Sequence, residues 1–236
     1  SDNPPLLGCV TVNERITSDD WIQDTRHIRI HVTDSMIGSD NSSPQQHHNT
    51  LPYQAGDVAT ILPSNPSSLV ERFISLLPDS IRSVADATLH ITYNPNQTST
   101  TIMNHPWPTV CTLRGLLTYC ADIQSLPERE DLYALSSYCN TKQQINGQDQ
   151  QDKLISLSET SGASLYGDYI IREKRNWVDV LYDFDSISSS VLLGVEELLM
   201  ILPSMMPRHF SIASSPLYMK QQYQQQFSAY LHSASA

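Results

Sequence analysis

The residues with the clearest chemical potential form one short stretch, Pro207-Arg208-His209-Phe210-Ser211. An arginine guanidinium is a planar fork of donors that can hold a phosphate or pyrophosphate through two parallel hydrogen bonds. If the stretch is a β-strand, Phe210 lies on the same face as Arg208, where its ring can stack on a flat heterocycle. Ser211 then points to the opposite face, so it would act at the strand end or through its backbone. On composition alone, an ordinary surface strand is the commoner interpretation.

Several other kinds of chemistry leave no signal in the sequence. Its eight glycines form neither a G-x-G-x-x-G fingerprint nor a P-loop, and no G-x-S-x-G or H-E-x-x-H motif is present. The cysteines lack C-x-x-C spacing and are predicted to be reduced, partly buried thiols. They are Cys9, Cys111, Cys120 and Cys139. His47 and His48 lie in a polar stretch and are interpreted as solvated side chains, so we predict no metal site.

Composition and charge limit the partners that the chain can have. Hydrophobic residues make up 39% of its 236 residues, which indicates a folded protein and not a disordered one. The formal net charge of −11 argues against binding to nucleic acid or to an anionic membrane, since both need a basic surface. No apolar run reaches the length of a membrane span and no secretory signal opens the chain, so we predict a cytoplasmic protein.

A sheet must position the arginine stretch, and strand-like alternation recurs near the start of the chain. Apolar and polar residues alternate in 9–17 and in 26–33, and a third strand is predicted at 58–62. Alternation of this kind is typical of an antiparallel sheet with one face in water. We therefore expect residues near 6–63 and 204–216 to share one antiparallel sheet.

Helical spacing replaces this alternation in the middle of the chain. Asn65-Pro66 is predicted to open the first helix, as its N-cap and first turn. Further helices are predicted at 112–120, 129–139, 152–158, 165–183 and 195–202, with breaks at 147–151 and 186–190. Strands that flank helices in this way predict a sheet domain built from separated pieces of chain, with a helical insertion between them.

The arginine stretch, with the Ile212-Ala213-Ser214-Ser215 that follows it, resembles the flavin-binding signature of the ferredoxin–NADP reductase superfamily, in the form found in diflavin reductases. Other stretches agree with that family and come in its order. They are Tyr53-x-x-Gly56-Asp57-Val58, Leu62-Pro63-Ser64-Asn65, Leu113-Arg114-x-x-Leu117-x-Tyr119-x-x-Asp122-Ile123, and Lys174-Arg175 ahead of Asp183-Phe184. The match spans roughly residues 6–216, so it covers most of the chain.

The resemblance implies an α+β fold with a discontinuous barrel. It predicts an antiparallel flavin-binding β-barrel of the ferredoxin–NADP reductase type, from residues 6–65 and 204–236, and an inserted all-helical connecting domain at 66–203. A phosphate-binding loop with glycine follows the arginine strand in this family, whereas residues 220–236 are rich in glutamine and contain no glycine. We therefore expect a barrel that is incomplete at its C-terminal end.

The resemblance also implies the cofactor and its ligands. Arg208 would bind the FAD pyrophosphate, Phe210 would stack on the isoalloxazine, and Ser211 would hydrogen-bond near its reactive edge. His209 and Lys174 are further candidates for the cofactor site. Many relatives have tyrosine in place of Phe210, and the family has arginine in place of Lys174, which keeps the charge but loses the bidentate fork. Arg114 matches a position that touches NADP, although a surface helix arginine is an equally good interpretation.

Within the family, the stretches are most similar to the branch of NADPH-dependent diflavin oxidoreductases that serve cytosolic iron–sulfur assembly, with cytochrome P450 reductases second. The resemblance implies electron transfer from NADPH through FAD to FMN, with FMN and NADPH bound on other domains and an iron–sulfur or haem protein as acceptor. The flavin carries the redox chemistry, so no catalytic side chain is predicted here. We expect an FAD-binding fragment that is inactive alone; the alternative is a non-catalytic interaction module of the same fold.

Overall fold

The computed structural model describes residues 8–32, 53–92, 107–142 and 144–219, together with Gln221 and Gln225. Helices and strands are mixed along the chain, as predicted. The chain divides into two compact units. One comprises the residues up to Val58 and from Ser211 onward, and the other comprises Ala59–Phe210. His47 and His48 lie outside the described residues.

Six strands form three separate two-stranded sheets within the described part of the chain. The strands are β1 (Gly8–Arg15), β2 (Arg26–Val32), β3 (Val58–Ile61), β4 (Thr88–His90), β5 (Val110–Thr112) and β6 (Arg208–Ser211). Hydrogen bonding joins β1 to β2, β3 to β6 and β4 to β5. The β1–β2 and β4–β5 pairs are antiparallel, and a bulge between Val10 and Val12 shifts the β1–β2 register.

This pairing confirms only part of the prediction that residues near 6–63 and 204–216 share one sheet: β3 pairs with the arginine strand, but β1 and β2 do not join them within the described ranges. In the described residues β6 pairs with β3, while β2 pairs with β1. Alternation identified the strands correctly because it reports which side chains share a face. It carries no information about which strand lies next to which, since that depends on backbone hydrogen bonds between distant residues.

Eight α-helices lie between β3 and β6 in the described part of the chain. They are α1 (Ser67–Ser75), α2 (Asp79–Arg82), α3 (Leu113–Tyr119), α4 (Arg129–Ser136), α5 (Gly147–Ser158), α6 (Ala163–Tyr166), α7 (Trp177–Asp183) and α8 (Val195–Ile201). The hydrophobic core is built from their apolar faces, with Phe73, Leu116, Leu132, Leu154 and Trp177 completely buried. The β4–β5 pair falls within 66–203, so the prediction of an all-helical insertion is wrong. Strands of three residues are too short to show alternation.

Two predicted helix boundaries also differ from the structure. The predicted helix 165–183 is divided into α6, a π-helical segment Gly167–Arg172 and α7. Lys174 has φ of 53°, which ends the preceding helical turn, and Asn176 then caps α7 by accepting from the backbone N–H groups of Val178 and Asp179. The predicted break at 147–151 is instead the first turn of α5.

Candidate functional site

The β3–β6 pair presents the arginine strand. On its β3 side, the hydroxyl of Thr60 lies 3.1 Å from Nδ1 of His209, so the histidine faces the neighbouring strand. At the other end of β6, the N–H of Ile212 donates to the carbonyl of Asp57 at 3.2 Å. Asp57 follows Gly56, whose φ of 98° requires glycine in the turn that leads into β3. The turn predicted from Gly56 is therefore present.

Arg208 is half exposed, and its guanidinium is held at two nitrogens. Nη1 donates to the carbonyl of Met206 at 2.9 Å, and Nη2 lies 3.3 Å from Oδ2 of Asp122. A guanidinium has five N–H donors, so these contacts use two of them. Since 48% of the side chain is exposed to solvent, an anion can reach the remaining donors.

Asp122 is much less exposed than its arginine partner, at 14% of its side chain. Its other oxygen, Oδ1, accepts the backbone N–H of Ser125 at 3.1 Å. Its own N–H donates to the carbonyl of Pro203 at 2.8 Å, and Ala121 forms a bridge with Ser204. The turn after α3 is therefore attached to the segment that leads into β6.

The side chain of Asn65, which is 2% exposed, also binds the turn after α3. Its Nδ2 donates to the carbonyls of Leu117 at 2.6 Å and Ala121 at 2.7 Å, while Oδ1 accepts from Nε2 of Gln124 at 3.0 Å. The predicted N-cap role is wrong, because α1 begins after Pro66 with no side-chain cap. Both Asn65 and Asp122 stand in the family-like stretches, which was the signal that could have marked them as a pair.

Phe210 and Ser211 are also exposed at the surface of β6. Phe210 is 51% exposed, which is unusual for a phenylalanine and leaves its ring accessible for stacking. Ser211 is the last residue of the strand. Arg208, His209 and Phe210 are thus brought together on one short strand, with the histidine directed to β3.

Lys174 lies elsewhere, in the turn between the π-helical segment and α7, and it is exposed. In the described residues, no hydrogen bond or ion pair joins it to the arginine strand. Its neighbour Arg175 pairs with Asp183 at 2.6 Å, and that carboxylate also accepts the hydroxyl of Tyr169 at 2.7 Å. Burial, the hydrogen bond to Asp183 and the charge of that carboxylate raise the pKa of Tyr169 well above its ordinary value.

Arg114 is engaged by two carboxylates. Nε donates to Oδ1 of Asp86 at 2.6 Å and Nη2 donates to Oδ2 at 3.0 Å, which makes a bidentate pair. Nη1 also pairs with Glu71. The hydrogen bond from Arg114 lowers the pKa of the Asp86 carboxyl. These contacts favour the interpretation of Arg114 as a structural arginine, and contact with NADP stays a prediction.

A cavity of about 370 Å³ lies beside the turn at Asp122. Three carboxylates, Asp122, Glu128 and Asp131, line it together with Met206 and Ser204. Burial raises the pKa of Asp131, whose carboxylate accepts the backbone N–H of Glu128 at 2.8 Å. An acidic cavity repels a pyrophosphate, so the exposed donors of Arg208 form the better anion site.

The donor set at β6 fits a flavin dinucleotide. A half-exposed guanidinium supplies charge and donors for a pyrophosphate, and an accessible aromatic ring lies two residues along the same strand. All four cysteines are free thiols, as predicted; the predicted partial burial holds for Cys111 and Cys120, whereas Cys9 is exposed and Cys139 is buried. Across the described ranges, no group of three or more His, Cys, Asp or Glu side chains forms a metal site. No helix in those ranges is both long and apolar enough to cross a membrane.

Comparison with known proteins identifies similar sequences over most of the chain. The family model for the FAD binding domain matches residues 5–224. NADPH-dependent diflavin oxidoreductase 1 of Dictyostelium discoideum is 32% identical over 210 residues, covering 87% of this chain and 29% of that protein. The Mus musculus protein of the same name is 30% identical over 92% of this chain and 31% of its own length. NADPH–cytochrome P450 reductase of Rattus norvegicus is 27% identical over 89% of this chain and 27% of its own length. The chain thus spans roughly three tenths of each relative.

Proposed function

Since this chain belongs to the FAD-binding domain family, we propose that it is the flavin-holding part of an NADPH-dependent diflavin oxidoreductase. Electrons would pass from NADPH through FAD to FMN and then to an iron–sulfur or haem protein. The observation that carries this proposal is the half-exposed guanidinium of Arg208 on the same strand as the accessible ring of Phe210. When bound, FAD supplies hydride acceptance and single-electron transfer; the protein supplies binding and orientation.

Each residue of the strand has a separate part in holding the flavin. Arg208 offers its unused N–H donors to the pyrophosphate, and Phe210 offers its ring face to the isoalloxazine. Ser211, at the strand end, offers a hydroxyl near the ring. His209 stays out of the flavin's path and fixes the strand against Thr60 at 3.1 Å. Lys174, in the turn before α7, would be a second cation for the flavin phosphates.

The larger arrangement follows from the family and belongs to the same proposal. Residues 6–65 and 204–236 would contribute to the flavin-binding barrel, and residues 66–203 would form the connecting insertion. The FMN and NADPH domains of the enzyme would be its partners in electron transfer. Relatives named NADPH-dependent diflavin oxidoreductase 1 support the diflavin oxidoreductase branch. An iron–sulfur assembly protein as the acceptor is part of the proposal and rests on the sequence resemblance. A cytoplasmic location, in keeping with the free thiols, stays a prediction.

Titration of the chain with FAD, followed by quenching of flavin fluorescence, tests the proposal. We expect weak binding by the parent chain and a Kd that is about 10- to 100-fold higher in Arg208→Ala, since a hydrogen bond to a charged group contributes about 1.5–3 kcal/mol. Arg172→Ala is the matched control, because Arg172 is also exposed and pairs with Asp168, one helical turn away, at 2.6 Å. A folded parent chain that takes up no FAD would instead support a non-catalytic interaction module. An equal Kd in parent and Arg208→Ala would remove the arginine from the site.

A further inference from the structure

We propose that Asp122 is a positioning residue for the flavin phosphates, because it holds the guanidinium of Arg208 in one orientation before the anion arrives. This inference rests on the proposed function. It concerns a residue that would not touch the cofactor: Asp122 acts through Arg208, which lies 86 residues away in the sequence.

The fixed position of Asp122 is the first step of the argument. Its two carboxylate oxygens have different tasks, since Oδ1 accepts the N–H of Ser125 at 3.1 Å and Oδ2 faces Nη2 of Arg208 at 3.3 Å. Its backbone N–H is bound by the carbonyl of Pro203 at 2.8 Å. Asn65, which is buried, holds the carbonyl of the preceding residue, Ala121, at 2.7 Å. The carboxylate is therefore held on more than one side, whereas 48% of the arginine side chain is exposed to solvent.

Stability alone does not account for this pair. The Nη2–Oδ2 distance is 3.3 Å, and although the carboxylate is only 14% exposed, 48% of the arginine side chain is open to solvent, which screens the pair and keeps its contribution to folding small. An arginine that must bind an anion, however, loses side-chain freedom when it does so. A weak contact that restricts the guanidinium beforehand lowers that cost. The contact with Met206 restricts Nη1 in the same way, at 2.9 Å.

The donors of Arg208 are divided in a manner that suits this task. Of the five N–H donors, one on Nη1 and one on Nη2 face the protein. The three that remain are the N–H of Nε and the second N–H of each terminal nitrogen. A competing interpretation is that Asp122 occupies Arg208 and must be displaced by the phosphate. The two interpretations predict opposite signs, because removal of a competitor would strengthen binding.

The Asp122→Ser variant distinguishes the positioning interpretation from the competing one. The serine hydroxyl can still accept the N–H of Ser125 but is too short to reach Arg208, so the turn is preserved. We expect the Kd for FAD to rise about 3- to 10-fold, the cost of ordering one long side chain. Asp122→Asn is the isosteric companion, since one amide oxygen cannot serve both Ser125 and Arg208; it should weaken binding too.

In an Arg208→Ala background, Asp122→Ser should cause no further loss. Glu128→Gln, on the same cavity, is the control and should leave the Kd unchanged.

NMR of the arginine side chains in the flavin-free chain gives a second readout. The Nη protons of Arg208, assigned by their loss in Arg208→Ala, should be resolved in the parent and averaged by rotation in Asp122→Ser. An unchanged or lower Kd in Asp122→Ser would overturn the positioning role, as would signals that are already averaged in the parent. If the parent chain binds no FAD, the proposed function fails and this inference fails with it; if the parent binds and Asp122→Ser binds equally well, only this inference fails.

Discussion

At the scale of single residues, two arginines show how partners decide function. Arg114 is bound by Asp86 through two nitrogens and also pairs with Glu71, so an incoming anion would have to displace two carboxylates. Arg208 has a single carboxylate partner in the described residues, at 3.3 Å, and remains half exposed. Because its two protein contacts leave three of the five N–H donors for an anion, Arg208 is the better phosphate-binding candidate of the two.

Asn65 is a buried residue whose side chain binds the end of α3 and the turn that follows it. Asn65→Ala removes both donors of a buried amide and leaves the carbonyls of Leu117 and Ala121 without those partners. We expect the free energy of unfolding to fall by about 2–4 kcal/mol, since each buried group left unsatisfied costs about 1–3 kcal/mol. Urea denaturation measures this value. Gln124→Ala, which removes only the exposed partner of Asn65, should cost under about 1 kcal/mol; equal losses in the two variants would contradict this account.

The partly buried phenol of Tyr169 makes the free energy of unfolding depend on pH in alkali. Burial, the bond to Asp183 and the charge of that carboxylate raise the pKa of its phenol, so the folded chain keeps this proton at a pH where the unfolded chain has lost it. The contribution of Tyr169 is therefore fully present below its unfolded pKa of about 10 and declines as the pH rises further.

The measurement is the free energy of unfolding as a function of pH in alkali, in the parent and in Tyr169→Phe. The parent should lose stability more steeply above about pH 10, because only the parent has this phenol. Tyr133→Phe, at a position that is 62% exposed, is the control and should follow the parent. Parallel curves for the parent and Tyr169→Phe would show that the folded chain does not hold the phenol proton more tightly.

At the scale of elements, the start of α5 is set by a close approach between chain segments. A Cβ on Gly147 would overlap the carbonyl group of Asn140 and lie 2.9 Å from Cα of Thr141. Gly167, at the start of the π-helical segment, has nothing within 4 Å of the equivalent position. Neither Gly147 nor Gly167 has a positive φ. The two sites therefore differ in the room available for a Cβ atom and not in a backbone conformation that favours glycine.

Alanine at each of these glycines tests that difference. Gly147→Ala should destabilise the chain by about 1–3 kcal/mol, the usual cost of forcing extra atoms into a packed site. Gly167→Ala should be neutral or stabilising by up to about 1 kcal/mol, because alanine is the better helix former. Thermal melting followed by circular dichroism compares the two directly. A stable Gly147→Ala variant would mean that α5 and the segment at 140–141 can separate without cost.

At the scale of the whole molecule, the core and the first hairpin differ in burial. The buried residues of the hydrophobic core, from Val70 to Leu202, all lie in the Ala59–Phe210 unit. In the β1–β2 hairpin, by contrast, Val10 is 55% exposed and Ile28 is 50% exposed. A two-stranded hairpin without burial of its apolar face is only marginally stable.

Hydrogen exchange should therefore divide the chain. In the absence of flavin, we expect the amides of β1 and β2 to exchange much faster than those of α3 and α4, whose leucines 116 and 132 are completely buried. Exchange monitored by mass spectrometry on proteolytic peptides gives this comparison. Protection of the hairpin as strong as that of α3 would show that its apolar residues are covered in solution.

The local features of this protein could be predicted from its sequence. Alternation identified β1, β2, β3 and β6, and helical spacing identified most of the helices, because both patterns depend on which side chains share a face of one element. It also located the arginine and the aromatic residue of the candidate site two positions apart on β6, since strand geometry alone relates them. The family-like stretches gave the expectation of a flavin, and the family match supports it.

The contacts between distant parts of the chain could not be predicted from the sequence and are known from the folded structure. The pairing of β6 with β3, the bonds of Asn65 to the turn after α3, and the contact of Asp122 with Arg208 join residues that lie 52 to 149 positions apart. No periodicity encodes such contacts, because they depend on how elements pack after they have formed. The same reason explains α5, where Gly147 resembled a break in the sequence and is instead required by the backbone at Asn140.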